Sequence, residues 1–270
     1  MLYIATVHYR SPRWIEIQSR YLREHIPVPF QVWTSLEGID ESYAVHFDRV
    51  LEQGGRHSDK LNHLAIEIAG EAQETDLLMF LDGDAFPIAD PMPKIESSLS
   101  QASLLAVRRA ENLSDQQPHP CFCVTTVGAW HNLPGDWSAG YRWPDGRGRH
   151  VSDVGGNLLR ELEITDTPWV QLLRSNRRNL DPLFFAVYGD IVYHHGAGFR
   201  GGEFTRAHYA LAPKAAPLPT QPLLRHAARR ANRLRRMAWE RRTRREQALQ
   251  SEQLIARIQG GGTDWLKELV

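Results

Sequence analysis

Two carboxylates stand two residues apart, directly after an apolar run that is typical of a buried strand. They are Asp82 and Asp84, and the run before them is DLLMFL at 76–81. Oxygen atoms are the ligands that Mg²⁺ and Mn²⁺ prefer, and Gly83 allows the backbone to approach a ligand closely. A divalent metal site is one interpretation of this tripeptide, and a simple turn is the other. The apolar residues on both sides favour the metal site.

A second group of polar side chains follows a short apolar segment in the C-terminal half. It contains His194 and His195, then glycines, and then Arg200. An imidazole can supply a nitrogen ligand, and a guanidinium forms charge-assisted hydrogen bonds with phosphate. The alternative is a pair of surface histidines before a flexible loop. With the acidic pair upstream, we expect His195 to complete the metal site, with His194 as its substitute.

The chain contains only two cysteines, Cys121 and Cys123, which is no disulfide framework. A zinc site with His119 is one interpretation, but the sequence places no fourth ligand. Buried free thiols are therefore the preferred interpretation. Strand alternation predicts that the two thiols lie on one face of the sheet.

The elements that must position these residues follow from hydrophobic periodicity. We predict strands at 2–7, 30–34, 76–81, 104–107 and 122–127, and helices at 14–25, 58–72 and 223–258. Alternation of strands and helices in the first half predicts an α/β fold with parallel strands. Ligands of such sheets bind at the carboxyl ends of the strands, where the acidic pair is expected.

The charge of the chain is divided unevenly. Residues 225–250 contain ten arginines and two glutamates, so this segment has a charge of +8 and the rest of the neutral chain −8. We predict a body at 1–208, a Pro/Ala-rich linker at 209–222 and a basic helical tail at 223–270. The tail either lies on an anionic membrane, packs on the body or a second copy, or binds nucleic acid.

Several segments together resemble the GT-A glycosyltransferases, among them bacterial enzymes of surface-polysaccharide synthesis. The DxD-like motif is FLDGDAFPI, and the other segments are IATVHYRSPRWIEIQ, HSDKLNHL, QPHPCFCVTTVGAW and YHHGAGFR. The resemblance covers about residues 1–205. It implies a GT-A-like nucleotide-binding α/β/α sandwich. It also implies Mn²⁺- or Mg²⁺-dependent transfer of a sugar from a nucleoside-diphosphate sugar to a hydroxyl of a glycan or lipid-linked glycan.

The resemblance also assigns roles by position along the chain. The metal ligands are Asp82, Asp84 and His195 or His194, and the donor-side residues are His8, Tyr9, Arg13, Lys60, Asp82 and Arg200. Asp153 is the first choice for the base of an inverting reaction, which is slightly favoured over a retaining one. Its alternatives are sugar binding, shared with Asn157, and a helix cap or turn. The nearby aromatic residues either stack on the acceptor sugar or form core: Trp130, Trp137, Tyr141 and Trp143.

Two other functions remain open at this stage. A metal-dependent nucleotidyltransferase would need a Gly-rich basic loop after the first strand, and residues 6–11 (TVHYRS) do not form one. The second is a nucleic-acid-binding protein, in which the arginine-rich tail would bind the nucleic acid and the body would serve as a scaffold. We expect no signal peptide and no membrane-spanning helix, and hence a cytoplasmic protein. Peripheral attachment to the inner face of the plasma membrane is compatible with this expectation.

Overall fold

The computed structural model describes residues 1–197 and 204–270, with the backbone alone at Leu223. The strands are β1 (Leu2–Tyr9), β2 (Phe30–Glu37), β3 (Arg49–Val50), β4 (Leu77–Asp82), β5 (Ala85–Pro87), β6 (Leu104–Val107), β7 (His119–Thr126), β8 (Trp143–Pro144), β9 (His150–Val151), β10 (Trp169–Leu172), β11 (Ala186–Tyr188) and β12 (Val192–His194). The helices are α1 (Ile15–His25), α2 (His57–Glu71), α3 (Met92–Leu99), α4 (Val127–Asn132), α5 (Gly156–Ile164), α6 (Arg206–Leu211) and α7 (Pro222–Gln259).

A seven-stranded sheet forms the centre of the first part of the chain, in the order β10-β6-β7-β4-β1-β2-β3. Strand β1 pairs in parallel with β2 and β4, so their carboxyl ends share one edge. A smaller antiparallel sheet, β11-β12-β5, places β5 and β12 side by side just beyond β4. The topology therefore brings residues 82–85 and 192–195 to the same edge.

Apolar side chains cover both faces of the central sheet. One core joins alternate strand residues, such as Ile4 and Met79, to α1 and α3. The other core joins the intervening residues, such as Ala5 and Phe80, to α2, α4 and α5. This is an α/β/α sandwich, which confirms the predicted fold class.

Strand β7 departs from the expected parallel pairing. It lies between β4 and β6 and is antiparallel to both. Its register against β6 is irregular between Ala106 and Val107. As a result, Cys121 packs in the first core and Cys123 in the second. The prediction that both thiols lie on one face is therefore wrong, because the bulge interrupts strand alternation. Both cysteines are free and buried, as expected.

Residues 200–267 form a second compact unit, separate from residues 1–199 and 268–270. Within its described part, Phe204 stacks on Trp239 of α7 with ring centroids 5.3 Å apart. The Asn232 side chain accepts from the Ala216 amide at 2.9 Å and donates to its carbonyl at 3.0 Å. The Pro/Ala-rich segment is thus anchored to α7. The predicted boundaries at 208 and 222 stay predictions.

The first two thirds of α7 present a thin apolar stripe between arginines. All five predicted stripe residues are exposed: Leu224, Ala227, Ala231, Leu234 and Ala238. The ten arginines of residues 225–250 are also exposed. Among the helices that the structure describes, none has both the length and the apolar character needed to cross a membrane.

Candidate functional site

The candidate site lies at the carboxyl edge of the central strands. Here β4 ends at Asp82, and β1 ends at Tyr9 beside Glu37, the last residue of β2. Helix α2 begins at the same edge with His57, since it follows β3, which is parallel to β2. Carboxyl edges of parallel sheets are where ligands bind in α/β proteins.

Among the residues that the structure describes, three side chains at this edge could hold a metal ion. Asp82, Asp84 and His194 each offer one ligand atom, and these atoms lie within 4.8 Å of one another. Nε2 of His194 is 3.7 Å from Oδ2 of Asp82 and 3.4 Å from Oδ1 of Asp84. Two carboxylate oxygens and one imidazole nitrogen form a donor set that suits a divalent cation such as Mn²⁺. The geometry of this group fits the ion that the acidic motif predicts.

Sheet pairing explains why His194 joins this group. In the antiparallel pair of β5 and β12, His194 lies opposite Ala85, the residue after Asp84. Successive side chains of a strand point to opposite faces, so the next residue, His195, points away. Our sequence-based preference for His195, with His194 as substitute, is therefore reversed in the geometry of the described residues.

His195 lies instead in an aromatic pocket behind the acidic turn, which is the turn of residues 82–85 that carries both carboxylates. Its ring centroid is 4.6 Å from that of Trp14, and the Tyr193 hydroxyl is 2.8 Å from its Nδ1. Burial lowers the pKa of His195 to about 3, with a further contribution from Arg13. Its backbone N–H donates to the Asp84 carbonyl at 3.0 Å. The main chain of His195 thus helps to hold the turn.

Two further imidazoles of the described residues approach Asp82, and neither was predicted to belong to the site. His57 Nε2 donates to Oδ1 of Asp82 at 3.0 Å, and His119 Nδ1 lies 4.0 Å from Oδ2. His57 opens the segment HSDKLNHL, so its place at the start of a helix at the carboxyl edge was a usable signal. His119 gave none, because its position depends on the antiparallel insertion of β7.

The imidazoles decide the ionisation of the acidic pair. Burial alone would raise the pKa of Asp82, but the hydrogen bond and the charge of His57 outweigh it. They hold that pKa far below its usual value. Burial of Asp84 is likewise outweighed, chiefly by His194, so its pKa is also lowered. Both carboxylates are therefore ionised at neutral pH, as metal ligands must be.

His8, a predicted donor-binding residue, is completely buried. Its Nε2 lies 3.2 Å from Oε1 of Gln18, and its ring contacts Phe47. Burial lowers the pKa of His8 to about 4, so the ring is neutral at neutral pH. The structure places this imidazole beneath the site, in contact with Gln18.

Tyr9 and Lys60 lie together on the β1–β2 side of the edge. The Lys60 ammonium is 5.3 Å from the centre of the Tyr9 ring and forms an ion pair with Glu37. Lys60 is only 2% exposed, so its charge is already neutralised by a neighbouring carboxylate. A phosphate group would have to compete with Glu37 for this lysine.

Of the two predicted donor-binding arginines, the structure describes Arg13 but not Arg200. Arg13 is exposed in the loop between β1 and α1, close enough for its charge to lower the pKa of His195. Arg200 falls outside the described residues. The glycine before this gap, Gly196, has a φ of +75°, and a Cβ there would meet the Leu183 carbonyl at 2.1 Å. Only glycine allows the chain to leave the site along this path.

Asp153 lies in the exposed segment before α5, where its Oδ1 accepts from the Val154 amide at 2.9 Å. A Cβ on Gly155 would lie 2.3 Å from the Pro118 carbonyl, so this segment runs close to the residue before His119. Asn157 donates to Asp136 at 2.7 Å, which favours a structural role for that amide. The three alternatives for Asp153 remain open.

The aromatic cluster before Asp153 is mostly core. Trp130, Trp137 and Trp143 are 6%, 0% and 1% exposed, and the first two pack against Phe80. Tyr141 is partly exposed, and its hydroxyl donates to Glu163. Stacking of the three tryptophans on an acceptor sugar is therefore wrong, because their rings are enclosed.

No protein-family model and no curated protein matches this chain. Among solved structures, TarS of S. aureus is 10% identical, with 51% of this chain and 30% of TarS covered and a TM-score of 0.38. The mannosyltransferase PcManGT of Pyrobaculum calidifontis, in complex with GDP-Man and Mn²⁺, is 14% identical, with 51% and 47% covered and a TM-score of 0.38. An active-site mutant of LgtC is 11% identical, with 83% and 81% covered and a TM-score of 0.39.

This chain thus spans about a third of the length of TarS and about half of PcManGT. At TM-scores of 0.38 and 0.39, these similarities carry no argument about the fold or the activity of this chain.

Proposed function

We propose that this chain is a GT-A-type glycosyltransferase that transfers a sugar from a nucleoside-diphosphate sugar to a hydroxyl group of a glycan or lipid-linked glycan. The observation that carries the proposal is the convergence of Asp82, Asp84 and His194 at the carboxyl edge of a mostly parallel sheet. The ordered sequence segments that resemble GT-A enzymes support it. A role in surface-polysaccharide synthesis belongs to the same proposal.

Asp82, Asp84 and His194 would hold Mn²⁺ or Mg²⁺. When bound there, the ion neutralises the negative charge that develops on the departing diphosphate. His57 keeps Oδ1 of Asp82 engaged, which directs Oδ2 toward His194 and Asp84. The donor would contact Tyr9, Arg13 and, beyond the described residues, Arg200. His8 would support the site from beneath through its contact with Gln18.

In the reaction, the acceptor oxygen forms a bond to the anomeric carbon while the bond from that carbon to the phosphate oxygen breaks. The bonding electrons leave with the diphosphate, and the hydroxyl proton must pass to a base. Asp153 is the proposed base, because it is exposed and lies in a segment adjacent to residue 118. This assignment goes with inversion at the anomeric carbon.

We further propose that α7 holds the protein at an anionic membrane surface, where a lipid-linked acceptor would be found. Ten exposed arginines flank an exposed apolar stripe on this helix. Such a helix binds in the headgroup region through charge and shallow apolar contact. Within its own unit the stripe is exposed, which is what binding to a membrane surface requires.

A binding experiment tests the central proposal. UDP, GDP, CDP and dTDP are each added to the protein with and without Mn²⁺, and the melting temperature is measured. One nucleotide should raise it only when Mn²⁺ is present, because a ligand that binds the folded state alone stabilises it by about 2.7 kcal/mol at a hundredfold excess over Kd. Asp84→Asn should abolish this shift and sugar transfer, since it removes one carboxylate from the group.

Asp166→Asn is the matched control. Asp166 is exposed in the turn between α5 and β10, at the opposite edge of the sheet from Asp84. This variant should behave as the wild type does. Sugar transfer that persists in chelator-treated protein would contradict the metal-dependent mechanism. Release of pyrophosphate from a nucleoside triphosphate would indicate a nucleotidyltransferase instead.

A further inference from the structure

A buried glutamine lies directly beneath the acidic turn. Gln18, on α1, is 1% exposed. Its Nε2 donates to the carbonyl oxygen of Asp82 at 2.9 Å and to that of Ala85 at 2.8 Å. Its Oε1 accepts from the Thr6 hydroxyl at 3.3 Å and lies 3.2 Å from Nε2 of His8. One side chain thus uses two donors and two acceptor positions.

These contacts fix the orientation of the Gln18 amide. The carbonyls of Asp82 and Ala85 can only accept hydrogen bonds, so the NH₂ group must face them. A flipped amide would place its oxygen against two other oxygens. The orientation in turn determines the tautomer of His8, whose Nε2 must carry the proton to donate to Oε1. A neutral imidazole can do so, and burial keeps His8 neutral by lowering its pKa to about 4.

The two carbonyls belong to the ends of the turn that carries both acidic side chains. Asp82 ends β4 and Ala85 begins β5, with Gly83 and Asp84 between them. Within the turn, the Asp84 carbonyl is held by the backbone of His195. The turn is therefore fixed from α1 at its ends and from the β12 side at its middle.

We propose that Gln18 is a positioning residue for the metal site: by holding both ends of the Asp82–Ala85 turn, it keeps the two carboxylates in register with His194. Gln18 acts on the metal site through the backbone carbonyls of the turn. The part of this proposal that concerns metal affinity rests on the proposed function. The part that concerns the conformation of the turn does not.

A purely structural Gln18 would only attach α1 to the sheet. Its loss would then lower stability without a selective effect on the turn. The two roles differ in what happens at residues 82–86 and 192–195 when the fold remains intact. Outer-shell partners of metal ligands typically contribute 10–100-fold to metal affinity, which sets the size of the expected effect.

The test compares Gln18→Met with Ile17→Ala. Methionine has a length and volume close to those of glutamine but cannot donate to the carbonyls. Ile17 is its buried neighbour on α1, so the alanine variant weakens packing of the helix without removing either hydrogen bond from Gln18 to the turn. Mn²⁺ affinity is measured by electron paramagnetic resonance, and hydrogen–deuterium exchange is followed in metal-free protein.

Gln18→Met should bind Mn²⁺ at least about tenfold more weakly than wild type, whereas Ile17→Ala should bind it normally. The paired amides of β5 and β12 should exchange at least about tenfold faster in Gln18→Met than in Ile17→Ala. Equal affinity and equal protection in the two variants would overturn the proposal. If wild-type protein binds no Mn²⁺, the proposed function is wrong, and the exchange data alone decide the role of Gln18.

Thr6→Val provides a second variant in case Gln18→Met does not fold. Valine replaces threonine with nearly the same shape and removes the hydroxyl that donates to Oε1 of Gln18. It should accelerate exchange in the same amides by a smaller factor, about threefold. Unchanged exchange in folded Thr6→Val, with no selective effect in any folded Gln18 variant, would contradict the proposal.

Discussion

The two carboxylates of the site have unequal surroundings. His57 contacts one oxygen of Asp82, and His194 and His119 face the other. Asp84 is more enclosed, with a side chain only 5% exposed, and His194 lies beside its Oδ1. The imidazole of His194 is thus shared between both acids. We expect substitution of His194 to affect both carboxylates together. The effects of substituting interacting residues on metal affinity do not add, because each residue changes the surroundings of the others.

Asp153 offers a test of stereochemistry at the level of one residue. Asp153→Asn should lower kcat by roughly 10²–10⁴-fold if Asp153 is the base, because the asparagine amide cannot take up the proton of the sugar-acceptor hydroxyl. Donor affinity should hardly change. Steady-state kinetics and NMR of the anomeric proton of the product measure the two effects, and inversion is expected.

Asparagine caps helices and turns about as well as aspartate, so a structural role would survive this substitution. Activity within a few-fold of wild type would therefore reject the base and leave the structural alternative. Retention of anomeric configuration would reassign Asp153 to sugar binding, since a retaining reaction needs no such base.

At the level of elements, helix α7 is distinguished by the exposure of its charge. Its arginines form i,i+4 ion pairs at Arg236–Glu240 and Arg242–Glu246. Leu254, Ile255 and Ile258, near its end, are buried, so deletion of the whole helix would also remove core residues. Substitution of charge is therefore a cleaner test than truncation.

Replacing Arg225, Arg229, Arg230 and Arg233 by glutamine should weaken binding to phosphatidylserine vesicles. Each basic residue near such a surface contributes about 1 kcal/mol, so the four together should account for up to about a thousandfold. Binding of wild-type protein should also fall with added salt. Vesicle co-sedimentation measures both effects.

The same four positions changed to lysine form the matched control, because the charge is kept. The lysine variant should bind vesicles about as well as wild type. If the glutamine variant binds equally well, the membrane location is wrong. Strong binding of wild-type protein to RNA or DNA, in the absence of vesicle binding, would favour the nucleic-acid alternative.

At the scale of the whole molecule, buried neutral histidines link stability to pH. The pKa of His8 is about 4 when folded and 6.5 in its ordinary state. Between these values the unfolded chain binds more protons, so stability must fall as the pH decreases from 6.5 toward 4. For His8 alone the loss amounts to about 3 kcal/mol over this window. Burial lowers the pKa of His119 and His195 as well, in the same direction.

Urea unfolding of metal-free protein at several pH values should show this dependence. His8→Gln should reduce the slope near pH 5 by about 1 kcal/mol per pH unit, because one titrating group is removed. His131→Gln, at an exposed position of α4, is the matched control for the loss of an imidazole. A slope that is unchanged in His8→Gln would show that His8 is not the neutral buried group described above.

Much of the fold could be predicted from local patterns. The apolar runs and the helical periodicity gave β1, β2, β4, β6, α1, α2 and α7 to within a few residues, since burial on one face requires that spacing. Short strands such as β5 and β12 were not predicted. Three residues contain too little periodicity to identify a strand, and their pairing depends on distant segments.

The acidic pair, its place after a buried strand and the basic character of the tail could be predicted from the sequence, because residue type and spacing are local properties. Tertiary contacts place His194 rather than His195 beside the acids, and they bring Gln18, His57 and His119 around Asp82. They also enclose three tryptophans in the core. These outcomes depend on strand register and on contacts between residues far apart in the chain, which one-dimensional spacing does not specify.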